Sequence, residues 1–454
     1  MTIDINFNSF FSKEASLRGA SVMALPSPGT ISLSTGLPNP ACFPLKGVHI
    51  DVQSPASDFN KTEEITRTID LHPDEIVASC QYLSSKGLKF FNEWVTNYVT
   101  TYFKPDYQDW NFLIQAGATQ SLDALFRMLL DPGEDTILCE NFTYSCFLET
   151  CVPMRIEVVS TEMDSEGIIP SKMDSLLENW NSCEKTKSLK FPKLLYTMPT
   201  GHNPTGITLS TERRRELLEV ANKHNILIIE DDPYYHLQLD NDENSEHIPS
   251  LLKFDTQGRV IRIDSFSKML MPGLRVSVVT ANSTFIKKLT NHNELSIHSA
   301  SAVSQLMLQM IFTQWGDDGY HKWLDHLQSL YRRRRDVMVS SFDKYLPHDL
   351  VAFNRPNYGM FIWIDVHLEK FPQPAESSMT DAEWAQYVED EIFRIAAEDF
   401  KVVLTKGHWF MHDKSLPKAG FRATYSYSEE ESMIKGAEAF GKAIMHAHAI
   451  LTGN

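Results

Sequence analysis

The stretch Ile226-Leu-Ile-Ile-Glu-Asp-Asp-Pro-Tyr-Tyr235 opens with four apolar residues and ends in three acids, a proline and two tyrosines. A short run that is apolar at every position has no polar face to offer water. It therefore predicts a central strand of a parallel sheet, covered on both sides. Just upstream, Ser210 can cap a helix that carries Glu212 in its first turn and turns Leu217, Leu218 and Ala221 inward. Working outward, strand-like runs occur at 112–115, 136–139, 156–159, 194–197, 260–263 and 276–279. The stripe Leu122, Leu125, Phe126 and Leu129 has helical spacing, and Asp131-Pro-Gly-Glu134 breaks it. Strands alternating with helices imply right-handed crossovers and a mostly parallel sheet, here of seven strands in an α/β fold.

Past residue 325 the texture changes. A basic helix around Tyr331-Arg-Arg-Arg-Arg335 precedes strand-like runs at 361–364, 402–404 and 421–424 and a helix at 384–397. This predicts a smaller α+β domain, with the four arginines on a solvated, salt-bridged face. The expected division is an arm at 1–45, a large domain at 46–325 and a small domain at 326–454. A chain of 454 residues is long enough for more than one core.

The net charge of −17 argues against nucleic-acid binding, which needs a basic face, but leaves room for a local anion pocket. Six cysteines without a CxxC pair or metal-ligand spacing suggest reduced thiols and no metal site. The start, Met1-Thr-Ile-Asp-Ile-Asn6, lacks the apolar run of a signal peptide and the arginines of a presequence. No run approaches the roughly 20 apolar residues that span a bilayer. These features predict a cytoplasmic protein with no membrane partner.

Three stretches carry chemistry. Asp264-Ser-Phe-Ser-Lys-Met-Leu-Met-Pro-Gly-Leu-Arg275 follows a predicted strand, which puts Lys268 at the carboxyl edge where α/β folds bind ligands. Lys268 offers an amine for an aldehyde once deprotonated; Ser265, Ser267 and Arg275 suit a phosphate dianion. Tyr196-Thr-Met-Pro-Thr-Gly-His-Asn-Pro-Thr-Gly206 forms an irregular turn that can present the Asn203 amide. In the opening stretch, Asp231 is a carboxylate at a strand end that needs a cation, and Tyr234 follows three residues on.

Together, and in this order, these motifs resemble the class I and II aminotransferases of the fold-type I pyridoxal-phosphate enzymes. With Ile31-Ser-Leu-Ser-Thr-Gly-Leu-Pro-Asn-Pro40, they look most like the branch holding 2-aminoadipate/kynurenine and fungal aromatic aminotransferases. The resemblance implies that Lys268 holds pyridoxal 5′-phosphate covalently and later shuttles the substrate proton. Asp231 would hold the ring nitrogen, Asn203 and Tyr234 the ring oxygen, and Tyr144 would stack on the ring. Gly117, Ala118 and Thr119, with Ser265, Ser267 and Arg275, would bind the phosphate. Arg422 would clamp the substrate carboxylate, alongside Asn203 and Gly36. Tyr82 would reach the partner subunit's cofactor, which requires a homodimer.

The implied reaction is ping-pong transfer of the amino group of an aromatic amino acid, kynurenine or 2-aminoadipate to 2-oxoglutarate. Ala118-Thr119, Ser34-Thr35 and Thr405-Lys-Gly-His-Trp-Phe410 depart from the family pattern without removing a catalytic group. Two rival readings are a β-lyase on the same scaffold and a non-catalytic ligand sensor. The sensor would need an N-terminal DNA-binding domain, and the family-like region already begins near Ile31.

Overall fold

All seven expected runs form strands in the computed structural model, which describes residues 5–19, 36–45, 47–53, 66–70, 73–240 and 247–453. They are β1 (Trp110–Gln115), β2 (Thr136–Glu140), β3 (Glu157–Thr161), β4 (Leu194–Thr197), β5 (Leu227–Asp231), β6 (Val260–Ser265) and β7 (Ser277–Asn282). The decisive run behaves as its composition requires, since every residue of β5 is buried. The segments 1–4 and 31–35, used in the sequence reading, lie outside the described residues.

The chain divides into two compact units, each built from separated stretches. One comprises residues 1–134, 225–233 and 249–326; the other comprises 135–224, 234–248 and 327–454. This is a grouping by contact, whereas 1–45, 46–325 and 326–454 are consecutive segments of chain.

In the first unit the strand order is β1-β7-β6-β5. β5 and β6 pair parallel, but β7 runs antiparallel to both β6 and β1. The cause is the connection. A parallel return needs a crossover of a dozen or more residues, usually a helix. Between β6 and β7 lies only the Lys268–Arg275 turn with a 3-10 turn at Pro272–Leu274, so the chain reverses. Helices α1 (Lys89–Tyr102) and α2 (Ala118–Leu129) belong here, and α2 buries the expected stripe of Leu122, Leu125, Phe126 and Leu129.

In the second unit β4, β2 and β3 pair parallel. Helix α3 (Thr211–His224) starts on Ser210, whose Oγ accepts from the Arg213 amide at 3.2 Å, and buries Leu217, Leu218 and Ala221. A helical run α4 (Ala302–Tyr345), interrupted at Gly316, ends in this unit. A four-stranded antiparallel sheet follows, of β8 (Val351–Phe353), β9 (Phe361–Val366), β10 (Thr405–Lys406) and β11 (Gly420–Thr424), in order β8-β9-β11-β10. Helices α5 (Asp381–Glu398) and α6 (Glu430–Thr452) bury Ile392, Phe440 and Ile444 in a core with Ile362, Ile364 and Phe421.

Two expectations are corrected. Residues 402–404 form no strand: Val403 is 68% exposed, and pairing with β11 begins only at Thr405. The four arginines are not a solvated face. Arg333 pairs with Glu430 in the open, but Arg335 is fully buried on Asp240, and Arg332 and Arg334 donate to the carbonyls of Leu239 and Tyr425. The loop carbonyls and Asp240 accept these guanidinium donors, which offsets the cost of burying charge. Among the described residues no helix is long and apolar enough to cross a membrane.

Candidate active site

The residues singled out in the sequence sort into two clusters, one in each unit. In the first unit, strand register builds the cluster. Asp231 ends β5 opposite Ile263 of β6; Ser265 ends β6 opposite Ser277, and Ser277 lies opposite Gln115 at the end of β1. Three strand ends and one strand start thus meet along one edge. Gly117 leads from β1 into α2 with φ +93°, which places Ala118 and Thr119 in the first helical turn. That turn offers free backbone N–H groups to an anion.

A side chain at residue 117 has no room. A Cβ there would stand 2.2 Å from Arg275 Nη2, so glycine lets the guanidinium sit against the helix N-terminus. Arg275 Nη1 also donates to Ser267 Oγ at 3.3 Å, and the Ser267 amide donates to Ser265 Oγ at 3.2 Å. A guanidinium, two hydroxyls and a helix N-terminus make a cradle for a phosphate. Lys268 is half-buried in the same turn. The backbone beside it is held by Trp323, whose Nε1 donates to the Met269 carbonyl at 2.7 Å. Asp231 is buried.

The second unit supplies Tyr144, Asn203, Tyr234 and Arg422. Arg422, on β11, lies with its guanidinium carbon 4.5 Å from the Phe361 ring centre and 4.8 Å from that of Phe410. Its Nη1 donates to Asn203 Oδ1 at 2.7 Å and its Nη2 to Thr405 Oγ1 at 3.2 Å. Burial pulls its pKa down, opposed by the phenols of Tyr234 and Tyr144. Its Nε is buried without a hydrogen-bond partner among the described residues. The Asn203 turn packs closely: Gly206 stands at φ +68°, where a Cβ would meet the Phe361 carbonyl oxygen at 2.3 Å. His202 beside it bonds Thr205 through Nδ1 at 2.8 Å, and burial pushes its pKa down to about 3, so it is neutral.

The profile of "Aminotransferase class I and II" matches residues 58–440. The chain belongs to this family. An aromatic amino acid aminotransferase of Schizosaccharomyces pombe is 34% identical over 437 residues, covering 90% of each chain. The kynurenine/alpha-aminoadipate aminotransferase of Mus musculus, a mitochondrial protein, is 33% identical over 411 residues, covering 89% of each. The crystal structure of aminotransferase Aro8 from Candida albicans superposes with a TM-score of 0.88 at 29% identity, covering 98% of this chain and 99% of that one.

This chain is therefore a pyridoxal-phosphate-dependent aminotransferase of fold type I. Its residues fit the cofactor: the Gly117–Arg275 cradle suits the phosphate, and a lysine and a buried aspartate lie in the same unit as that cradle.

Tyr82 is 66% exposed, with its ring 5.4 Å from His298. Gly36 is exposed, with nothing near its Cβ position. Sequence reasoning missed Phe361, Phe410 and Thr405 as partners of Arg422. The aromatic run 361–364 and the unusual segment 405–410 were visible, but only pairing of β9 and β10 with β11 brings them to the arginine.

Proposed function

We propose that this aminotransferase moves the α-amino group of an aromatic amino acid, kynurenine or 2-aminoadipate to 2-oxoglutarate by a ping-pong mechanism. The observation that carries the reading is Arg422, a desolvated guanidinium between two phenyl rings with a buried Nε still to be satisfied. Such a group suits the α-carboxylate that all of these substrates share, with the two rings shielding the pair from water. The chain's similarity to a fungal aromatic amino acid aminotransferase and a mouse kynurenine/alpha-aminoadipate aminotransferase supports the same substrates.

When bound, pyridoxal phosphate supplies the electron sink for the substrate's Cα. Lys268 would hold the cofactor, and its amine would carry the proton that leaves the substrate's Cα. Asp231 keeps the ring nitrogen protonated. Asn203 and Tyr234 donate to the ring oxygen, and Tyr144 covers the ring face. The Gly117, Ala118 and Thr119 amides, Ser265, Ser267 and Arg275 bind the phosphate. Arg422 orients the substrate carboxylate, with Asn203 and Gly36 bordering it.

Tyr82 serves the partner subunit's cofactor, so the working form is a homodimer, and it acts in the cytoplasm. The arm is 1–45, the cofactor domain 46–325 and the small domain 326–454. A donor panel against 2-oxoglutarate, read by glutamate formation, tests the reading. Turnover confined to small donors such as alanine would sink the substrate assignment, and pyruvate with ammonia from a cysteine conjugate would point to β-elimination.

A further inference from the structure

Glu389 lies on α5 and is fully buried, although no step of the proposed reaction uses it. Its carboxylate accepts from two backbone amides. Oε1 takes the Gly420 N–H at 3.1 Å, and both oxygens take the His408 N–H, Oε1 at 3.3 Å and Oε2 at 3.2 Å. Gly420 begins β11, and His408 sits in the 3-10 turn Gly407–Phe410 that follows β10. The carboxylate thus stands where the β10–β11 ladder stops. That ladder pairs only Thr405 with Arg422 and Lys406 with Phe421, and the amides just beyond it turn to Glu389 instead. Two glycines make room for it. A Cβ at residue 407 would stand 3.0 Å from Glu389 Oε1 and 2.7 Å from Trp363 Cη2, and one at residue 420 would stand 2.6 Å from Trp363 Cζ2.

The two tied segments carry much of what holds Arg422. That arginine stands two residues beyond Gly420, hence on the same face of β11. Thr405, three residues before His408, accepts from Arg422 Nη2 at 3.2 Å; Phe410, two residues after His408, has its ring centre 4.8 Å from the guanidinium carbon. The turn is anchored at its far end as well, since the Phe410 carbonyl accepts from the Thr143 amide at 2.8 Å.

Burial lifts the Glu389 carboxyl to about 7; the two amides and Lys406 pull it down, and Asp390 pushes it up. Lys406 itself pairs with Asp390 at 2.5 Å, and Lys414 donates to the His408 carbonyl. In alkaline buffer Glu389 is therefore an anion, and hydrogen bonds to an anion are roughly twice as strong as those to a neutral acceptor.

We propose that Glu389 is a positioning residue for the substrate carboxylate: by tying the start of β11 to the 407–410 turn, it fixes the Arg422 guanidinium between Thr405 and Phe410 in the orientation that takes the acid group. The inference rests on the carboxylate-binding role proposed for Arg422.

The test measures kcat, both KM values and bound cofactor in alkaline buffer for the wild-type, Glu389→Gln, Arg422→Ala and doubly substituted holoenzymes. Glu389→Gln keeps the shape and removes the charge. KM for the amino donor and for 2-oxoglutarate should each rise about tenfold, with kcat moving less than about threefold and cofactor content unchanged. With Arg422→Ala in place, Glu389→Gln should change KM by less than about twofold, because an effect that runs through the guanidinium is lost with it.

A packing role would lower kcat alone, or would act equally in both backgrounds. Either result, or an unmoved KM in folded Glu389→Gln, overturns the inference. Should Glu389→Gln not fold, Glu389→Asp, one methylene shorter, takes its place and must meet the same two expectations. If Arg422→Ala itself leaves both KM values unmoved, the clamp reading beneath the inference fails, whatever Glu389 does.

Discussion

The two clusters are built by different means. In the first unit the Arg275–Ser267 contact joins residues 8 apart in sequence, and the strand ends are aligned by backbone register. In the second, the Arg422–Asn203 bond joins residues 219 apart, and two rings from other segments flank the guanidinium. The first is a short-range device that comes with the strand–turn–strand unit itself. The second exists only after distant segments have packed. The difference predicts where damage will be chemical and where it will be a matter of fit.

The largest effect belongs to the first cluster. Lys268→Ala should lower kcat by about a thousandfold or more, since no other group there supplies a proton-carrying amine, and borohydride should no longer attach cofactor to the chain. Near-normal turnover would refute the assignment. In the second cluster, Arg422→Ala should raise KM for both amino acid and oxo acid, lowering kcat/KM about a hundredfold, or ~3 kcal/mol of charge-assisted binding. Cofactor content should stay unchanged. A loss of cofactor instead would erase the contrast between the clusters.

A buried acid of the second unit gives a pH signature. Glu389 accepts from the Gly420 amide at 3.1 Å and the His408 amide at 3.2 Å, and burial pushes its pKa from 4.5 up to about 7. Below pH 4.5 it is protonated in folded and unfolded chains alike, and its contribution to stability is intact. Between there and pH 7 only the unfolded chain releases the proton, so stability falls as pH rises, by roughly 3 kcal/mol in total before levelling off. Glu389→Gln should flatten that part of the Tm–pH curve, and an unchanged slope would show that the carboxyl does not titrate there.

The smallest effects come from two glycines. Gly117→Ala forces a Cβ onto Arg275 and should weaken cofactor binding about tenfold while lowering Tm. Gly436→Ala, in α6 with only Val402 in ordinary contact at 3.6 Å, should raise stability by up to ~1 kcal/mol. Equal responses at the two positions would remove the reason for treating Gly117 as part of a cradle.

The sequence by itself determined the seven strands, the helix begun by Ser210, and the order of the Asn203, Asp231 and Lys268 motifs. Those signals are local: apolar runs, caps, breakers, and a few reactive side chains at fixed spacing. Tertiary structure alone decided the burial of Arg335, the failure of residues 402–404 to pair, and the rings around Arg422. Each of these depends on which distant segment supplies a hydrogen-bond partner or excludes water, and such a choice is made across space, after the local elements have formed.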